Sequence, residues 1–143
     1  MSHVPPVGLW DDRYRDLTEP APYGKELTYH IGAEWLKDCE LIEDWGCGKG
    51  WLRTIIAPER YRGIDGSQTP YADEIVDLCT YTSSVDGVFL RHVLEHNYLW
   101  DHILDNALAS ARKRLVIILF TPLIEGTRVL KEGKWVPVPD IAF

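Results

Sequence analysis

The stretch Asp44-Trp45-Gly46-Cys47-Gly48-Lys49-Gly50 decides the fold of this 143-residue chain. The apolar pair Leu41-Ile42 leads into it, and a helix-compatible stretch, residues 51–57, follows it. A strand, a glycine turn and a helix in this order hold a nucleotide-like ligand over the carboxyl end of a parallel sheet. The glycines let the backbone approach the ligand, because they lack a Cβ and adopt positive φ at little cost.

A second acid stands where the next strand should end. Residues 61–65 predict a short strand that finishes at Asp65. Asp65 stands 21 positions after Asp44, and a carboxylate at the tip of the second strand can accept hydrogen bonds from both ribose hydroxyls. The two features together predict a nucleoside-containing ligand.

The spacing of the glycines narrows the choice of ligand. Dinucleotide sites use G-x-G-x-x-G, whereas here the third glycine comes one residue earlier and Asp44 stands two residues before Gly46. A carboxylate there repels a pyrophosphate but suits an ammonium or sulfonium group. The phosphate-binding pattern G-x-x-x-x-G-K-[ST] is absent. S-adenosylmethionine (SAM) fits, with its adenosine at Asp65 and its amino-acid end near Asp44.

Three motifs in order resemble class I, Rossmann-like SAM-dependent methyltransferases: residues 44–50, residues 63–67 and residues 85–96. The last is similar to the family's fourth strand, which often ends in Leu-Glu-His. The resemblance covers residues 25–121. It implies an α/β fold with a doubly wound, mainly parallel sheet in strand order 3-2-1-4-5, with the family's C-terminal strands reduced or missing.

The resemblance also implies which residues bind the methionine part of SAM. Asp44 and the backbone of Gly46, Cys47 and Gly48 should face it. Arg91 stands where the tip of the fourth strand offers its backbone carbonyl to the SAM ammonium. Cys47 is interpreted as a small residue that fits the turn and not as a nucleophile.

A second group of residues is implied at the adenosine part. Asp65 should bind the ribose diol, and Gly66 or Ser67 should lie against the adenine. Asp77 and Leu78 match the family's acid and apolar residue after the third strand, which contact the adenine amino group and its face.

The sequence assigns no catalytic residue, although His92, His96 and Tyr14 are candidates for a proton acceptor near the methyl acceptor. His92, Glu95 and His96 also match the H-x-x-E-H pattern of inverzincin proteases. The preceding residues 86–90 predict a strand, which leaves that motif no helix at its start. A zinc hydrolase is therefore a remote alternative, and no metal is expected.

The chain divides into an irregular N-terminal arm (1–24), the SAM-binding domain (25–121) and a C-terminal tail (122–143). A helix is predicted over 25–38, with Leu27, Ile31 and Trp35 on its apolar face. The predicted strands cover residues 41–45, 60–65, 74–77, 86–91 and 114–121, and the next helix carries the stripe Leu99, Ile103, Ala107, Leu108 and Ala111. The apolar fifth strand predicts helices over both of its faces.

The links between the predicted elements are short. Residues 66–73 contain Pro70 and leave room for a turn, not a crossover helix, between strands 2 and 3. In the tail, residues 127–130 and 134–138 flank the turn 131–133 and predict a hairpin arm. Because bare strand edges rarely stay unpaired, either this arm or a second copy of the chain, in a homodimer, should cover the edge of strand 5.

Composition limits the function classes. The net charge of −7 disfavours a nucleic-acid substrate, and no apolar run is long enough to span a membrane. Three cysteines without metal-ligand spacing favour the reducing cytoplasm. The sequence predicts a SAM-dependent methyltransferase with a small-molecule acceptor. A nucleic-acid or protein acceptor, or a non-catalytic SAM-binding module, remain alternatives.

Overall fold

A five-stranded parallel sheet in the order β3-β2-β1-β4-β5 forms the centre of the chain. This computed structural model describes residues 7–133 and 136–143. The strands are β1 (Ile42–Trp45), β2 (Tyr61–Asp65), β3 (Glu74–Ile75), β4 (Val85–Arg91) and β5 (Ala111–Ile118). The helices are α1 (Asp11–Tyr14), α2 (Leu27–Trp35) and α3 (Trp100–Ser110). The predicted fold class and strand order are confirmed.

Two hydrophobic clusters cover the two faces of the sheet. Successive residues of a strand point to opposite faces, so Val88 and Leu90 pack with Ile103 of α3, whereas Phe89 between them packs with Tyr29 of α2 and with Leu36. Helices therefore lie on both faces, as in a doubly wound sheet.

The predicted apolar face of α2 is wrong. Leu27, Ile31 and Trp35 are 66%, 48% and 61% exposed, and the helix instead buries Tyr29 and Gly32. A Cβ on Gly32 would lie 2.3 Å from Cε2 of Phe89, so the glycine lets the helix backbone lie directly on the sheet. The four-residue spacing of the apolar side chains does predict a helix. The buried face is the one with Gly32, because Gly32 lets the helix backbone pack closely against Phe89.

The helix predicted after the glycine turn is also wrong. Residues 52–54 form only a 3₁₀ turn, and a second one follows at Pro58–Arg60. Pro58 cannot donate a backbone hydrogen bond and limits any longer helix. The link from β2 to β3 has no helix, as its length predicts, and β3 is shorter than predicted.

Strand β5 starts and ends about three residues earlier than predicted and lies at the sheet edge. Leu115 packs on one face and Val116 on the other, but each is only partly buried and Ile117 is exposed. The prediction that helices cover both faces of this strand is therefore only partly correct.

The tail forms a hairpin that packs away from β5. Strands β6 (Arg128–Glu132) and β7 (Pro139–Ala142) pair antiparallel in a sheet of their own. The second strand comes later than residues 134–138, because Pro137 lacks the donor that a ladder needs, and Pro139 stands at its first residue, where proline is tolerated. Phe143 stacks edge-on against Trp100, with ring centroids 4.8 Å apart, and this contact joins the end of the hairpin to the start of α3.

Parts of two predicted segments, residues 1–6 of the arm and Lys134 with Trp135 of the hairpin, lie outside the described residues. Within the described ranges, no helix combines the length and apolarity needed to cross a membrane.

Candidate functional site

A cavity lies over the carboxyl ends of β1, β2 and β4. β2 and β3 lie on one side of β1 and β4 and β5 on the other, so the strand order reverses at β1, and such a switch point is where open parallel sheets bind ligands. Asp44, Asp65 and Arg91, which stand at or near the ends of these three strands, line the cavity. The structure thus brings three of the predicted site residues together.

The glycine turn needs glycine for two reasons. Gly46, Gly48 and Gly50 have φ of +78°, +46° and +74°, values that other residues rarely adopt. A Cβ on Gly46 would lie 2.4 Å from Cγ2 of Val93, and one on Gly48 would lie 2.9 Å from the hydroxyl oxygen of Tyr14. The turn therefore provides a close backbone surface at the cavity.

Asp65 joins the glycine turn to the loop after β2. Its carboxylate is buried and accepts hydrogen bonds from the backbone N–H groups of Gly48 and Ser67, each at 2.8 Å. Burial raises the pKa of Asp65 to about 6, although these N–H groups favour the ionised form. A carboxylate has about four acceptor sites, so one remains for a ligand hydroxyl beside the backbone N–H groups of Gly48, Ser67 and Gly66.

Asp44 is a second buried carboxylate on the same cavity. Its Oδ2 accepts a hydrogen bond of 2.8 Å from the hydroxyl of Tyr61. Burial raises the pKa of Asp44 to about 7, and the charge of Asp65 adds to the increase. Two buried carboxylates with raised pKa values make this end of the cavity favourable for a cation.

The side chain of Arg91 fastens other elements to the end of β4. Its guanidinium donates to Thr28 Oγ1 at 2.9 Å, to the Tyr29 hydroxyl at 3.0 Å and to the carbonyls of Tyr23 and Lys25 at 2.7 and 3.3 Å. Through these hydrogen bonds the guanidinium positions α2 and the end of the arm. The role of the Arg91 carbonyl toward SAM stays a prediction.

The N-terminal arm covers the cavity, and Trp10 is a residue of the arm at this site that the sequence did not predict. The N–H of Gly8 donates to the carbonyl of Gly66 at 2.7 Å, and the N–H of Trp10 donates to Ser67 Oγ at 2.9 Å. Trp10 and Tyr14 then line the cavity. The aromatic residues in an otherwise polar arm were the available signal.

Tyr14 is buried beside the glycine turn. Burial, and then the charge of Asp65, raises the pKa of its phenol. It therefore stays protonated at neutral pH, which makes it a poor candidate for a base.

On the predicted adenine side, Gly66, Ser67 and Leu78 line the cavity. Asp77 instead accepts the backbone N–H of Cys79 at 2.9 Å within its own turn. Cys47 also lines the cavity, and burial raises the pKa of its thiol well above the usual value, so it remains an unreactive thiol. The binding roles of these residues stay predictions.

His92 follows β4 with a φ of +57°, a rare value for a residue with a Cβ. Its N–H donates to the carbonyl of Ile118 at 2.9 Å. Burial, and then the charges of Arg91 and His96, lowers the pKa of His92 to about 4. His92 is therefore a neutral wall of the cavity at pH 7 and a weak base.

His96 lines the cavity and packs against two aromatic rings. Its ring centroid is 5.5 Å from that of Trp10 and 5.1 Å from that of Phe120. Its Nδ1 is 3.0 Å from the carbonyl oxygen of Pro139 and 3.4 Å from Oδ1 of Asp140, both on β7. Phe120 and Asp140 were not predicted, because only the packing of the hairpin brings β7 to this site.

Glu95 is engaged in a structural hydrogen bond and is not placed for catalysis on a metal. Its buried Oε2 accepts the backbone N–H of Phe120 at 2.7 Å, which places the Phe120 ring against His92 and His96. The motif lies on a strand end and a 3₁₀ turn, not on a helix. Among the described residues no three His, Cys, Asp or Glu side chains could hold a metal ion. The geometry gives the zinc hydrolase alternative no support.

Comparison with known proteins agrees with this topology. No protein-family profile and no curated protein match the chain. Among solved structures it is similar to magnesium protoporphyrin IX methyltransferase from Synechocystis PCC 6803, crystallised with bound SAM. The chain has a class I methyltransferase fold. The match covers 91% of this chain and 88% of the other, with a TM-score of 0.55 and 15% identity, so the shared feature is the fold.

Proposed function

We propose that the chain binds SAM and transfers its methyl group to a small-molecule acceptor. One observation carries the proposal: two buried carboxylates and a glycine turn meet in a covered cavity at the switch point of the sheet. The solved structure with bound SAM, which shares this fold, supports the same ligand.

The residues at the cavity suit the parts of SAM. Asp65 has an acceptor site for a ribose hydroxyl, and Asp44 offers a carboxylate to the ammonium group. Gly46 lines the cavity through its backbone, and Val93 occupies the place that a side chain would need. Leu78 and Ser67 provide an apolar and a polar contact for the adenine. When bound, SAM supplies an activated methyl group, and the protein positions the acceptor.

The cover over the cavity favours a small acceptor over a nucleic acid or a protein. Trp10 of the arm and Val138 of the tail line the cavity from opposite ends of the chain. Arg91 is the one Lys or Arg side chain in the described lining, and its guanidinium is already hydrogen-bonded. A phosphate backbone would therefore meet little free positive charge.

Turnover separates the enzyme from a SAM-binding module without activity. Formation of S-adenosylhomocysteine (SAH) is measured with neutral phenols, amines and thiols, and in parallel with RNA, DNA and protein substrates. We expect SAH with a small molecule and none with the polymers. SAH formed with a polymer would contradict the acceptor class, and binding of SAM without turnover of any acceptor would favour the module.

Two further properties belong to the same proposal. We propose a homodimer, because the hairpin packs against the 3₁₀ turn at Leu94–His96 and the described residues leave the outer edge of β5 unpaired. We also propose the cytoplasm, from the three cysteines, which are all buried and free of disulfides.

A further inference from the structure

His96 is held in one orientation by acceptor groups alone. The carbonyl oxygen of Pro139 and the carboxylate of Asp140 both accept hydrogen bonds and neither can donate one. Nδ1 of His96 must therefore carry a proton. In the neutral ring the lone pair then lies on Nε2, which makes Nε2 the atom that can accept a proton.

The surroundings leave that nitrogen available. His96 lines the cavity, and within the described part of the chain no group donates a hydrogen bond to Nε2. Asp140 is itself fixed, because its other oxygen lies 3.3 Å from Nζ of Lys131 on β6. The hairpin thus supplies a carboxylate that keeps the imidazole in this tautomer.

The walls around His96 select the kind of molecule that can approach it. The rings of Trp10 and Phe120 pack against the imidazole, and Trp10, Val93 and Val138 line the cavity beside it. His92 is neutral, so this part of the cavity offers flat, uncharged surfaces. A flat, neutral acceptor fits it, whereas a phosphate or carboxylate would lack a free cation.

We propose that His96 is the general base of the methyl transfer, that Asp140 is its positioning residue, and that the acceptor is a neutral aromatic molecule with a phenol-type hydroxyl. This inference rests on the proposed function and deepens it. Neither Asp140 nor the tautomer of His96 follows from the sequence, because 43 residues separate Pro139 from His96.

The step balances without another reactant. The hydroxyl proton moves to Nε2 of His96, and the electron pair left on the oxygen forms the new bond to the methyl carbon. The electron pair of the broken carbon–sulfur bond stays on sulfur, which loses its positive charge. The imidazolium then releases its proton to water. Removing the proton in this way typically contributes about 10²–10⁴-fold to the rate.

The first test reads the tautomer and needs no turnover. Ring ¹⁵N NMR of the full chain with bound SAH, assigned with His96→Gln, should show His96 as the Nδ1–H tautomer. Asp140→Asn should shift it toward a mixture, whereas His102→Gln on the exposed face of α3 should leave it unchanged. A wild-type His96 with its proton on Nε2 would overturn the proposal. Failure of SAH to bind would instead contradict the proposed function.

The second test uses 4-nitrophenol, whose phenolate absorbs at longer wavelength than the phenol. Bound to the SAH complex, it should show more phenolate than in buffer at the same pH. His96→Gln should remove this excess, and His102→Gln should keep it. No binding of 4-nitrophenol to the SAH complex would contradict the phenol class, and an unchanged spectrum in His96→Gln would show that His96 is not the base.

Discussion

At the scale of single residues, Asp44 links ligand binding to stability. Burial raises its pKa from an ordinary value of 3.8 to about 7. Between these pH values the folded chain binds more protons than the unfolded chain, so the contribution of Asp44 to stability falls as pH rises through this window. A cationic ligand next to the carboxylate would offset that loss. The residue is therefore unfavourable for the free protein and useful for a cationic ligand.

Replacing Asp44 by Asn tests this link. Asn keeps an oxygen that can accept the hydroxyl of Tyr61 but carries no charge. We expect Asp44→Asn to raise the free energy of unfolding at pH 7.5 by on the order of 2 kcal/mol, with the gain nearly lost at pH 4. Urea unfolding at the two pH values measures it. A gain of the same size at both would mean that the charge is not responsible.

The conformation of the glycine turn gives a second prediction at this scale. Gly46→Ala should destabilise the chain by about 1–2 kcal/mol from positive φ and by about 1–3 kcal/mol more from overlap with Val93. Gly24→Ala is the matched control, because Gly24 has φ +68° and nothing within 4 Å of the added Cβ. Thermal unfolding compares the two. Equal losses would rule out the overlap.

The sequence predicts those site residues that belong to one continuous motif, and it does not predict those that distant segments bring to the site. Asp44, Asp65 and the glycines were predictable, because each stands at a fixed place in a strand–turn pattern. Asp140 and Phe120 were not, because they reach the site only through the packing of distant segments.

At the scale of elements, the arm controls access to the cavity. Asp11 accepts the backbone N–H of Gln68 at 2.6 Å and so ties α1 to the loop after β2. Asp12, its neighbour, pairs only with Arg15 on the surface, among the contacts described. One hydrogen bond of this kind is worth about 1 kcal/mol. Loosening the arm should therefore speed ligand release.

The two aspartates make a matched pair of variants. We expect Asp11→Ala to raise the dissociation rate of SAH by about fivefold, which corresponds to about 1 kcal/mol. Asp12→Ala should leave the rate unchanged. Stopped-flow chase experiments measure both rates. Similar rates for the two variants would show that the arm does not limit release.

The prediction of helices and strands succeeded where the apolar pattern fitted one structure and failed where it fitted two. The alternation of strands and links predicts a parallel sheet, and the family resemblance implies its strand order. The face of α2 does not, because Leu27, Ile31 and Trp35 mark one stripe and Tyr29 with Gly32 another. The second stripe is buried because Gly32 packs against Phe89. This contact joins residues far apart in the sequence, so a local pattern does not predict it.

At the scale of the whole molecule, exposed apolar surface lies beside an open sheet edge. Trp35 of α2 lies near Arg114 of β5, whose guanidinium carbon is 5.8 Å from the ring centre. The exposed stripe of α2 (Leu27, Ile31 and Trp35) therefore runs next to a strand whose outer edge is unpaired by the described residues. An open edge beside an apolar stripe favours pairing with a second copy.

Light scattering at micromolar concentration tests the homodimer. Ile117→Lys places a charge on the exposed edge of β5 and should give a monomer. Leu130→Lys, an equally exposed apolar position on the hairpin, should remain a dimer. A wild-type chain that stays monomeric under these conditions would contradict the dimer.

The most direct test of the proposed function is calorimetric titration of the chain with SAM and SAH, with NAD as the comparison ligand. One equivalent of SAM or SAH should bind and NAD should not. Asp65→Asn removes the charge that assists the ribose hydrogen bond, worth roughly 1.5–3 kcal/mol, so it should weaken binding by about tenfold or more. Binding of NAD to the wild-type chain, with no binding of SAM or SAH, would show that the cavity belongs to a different ligand.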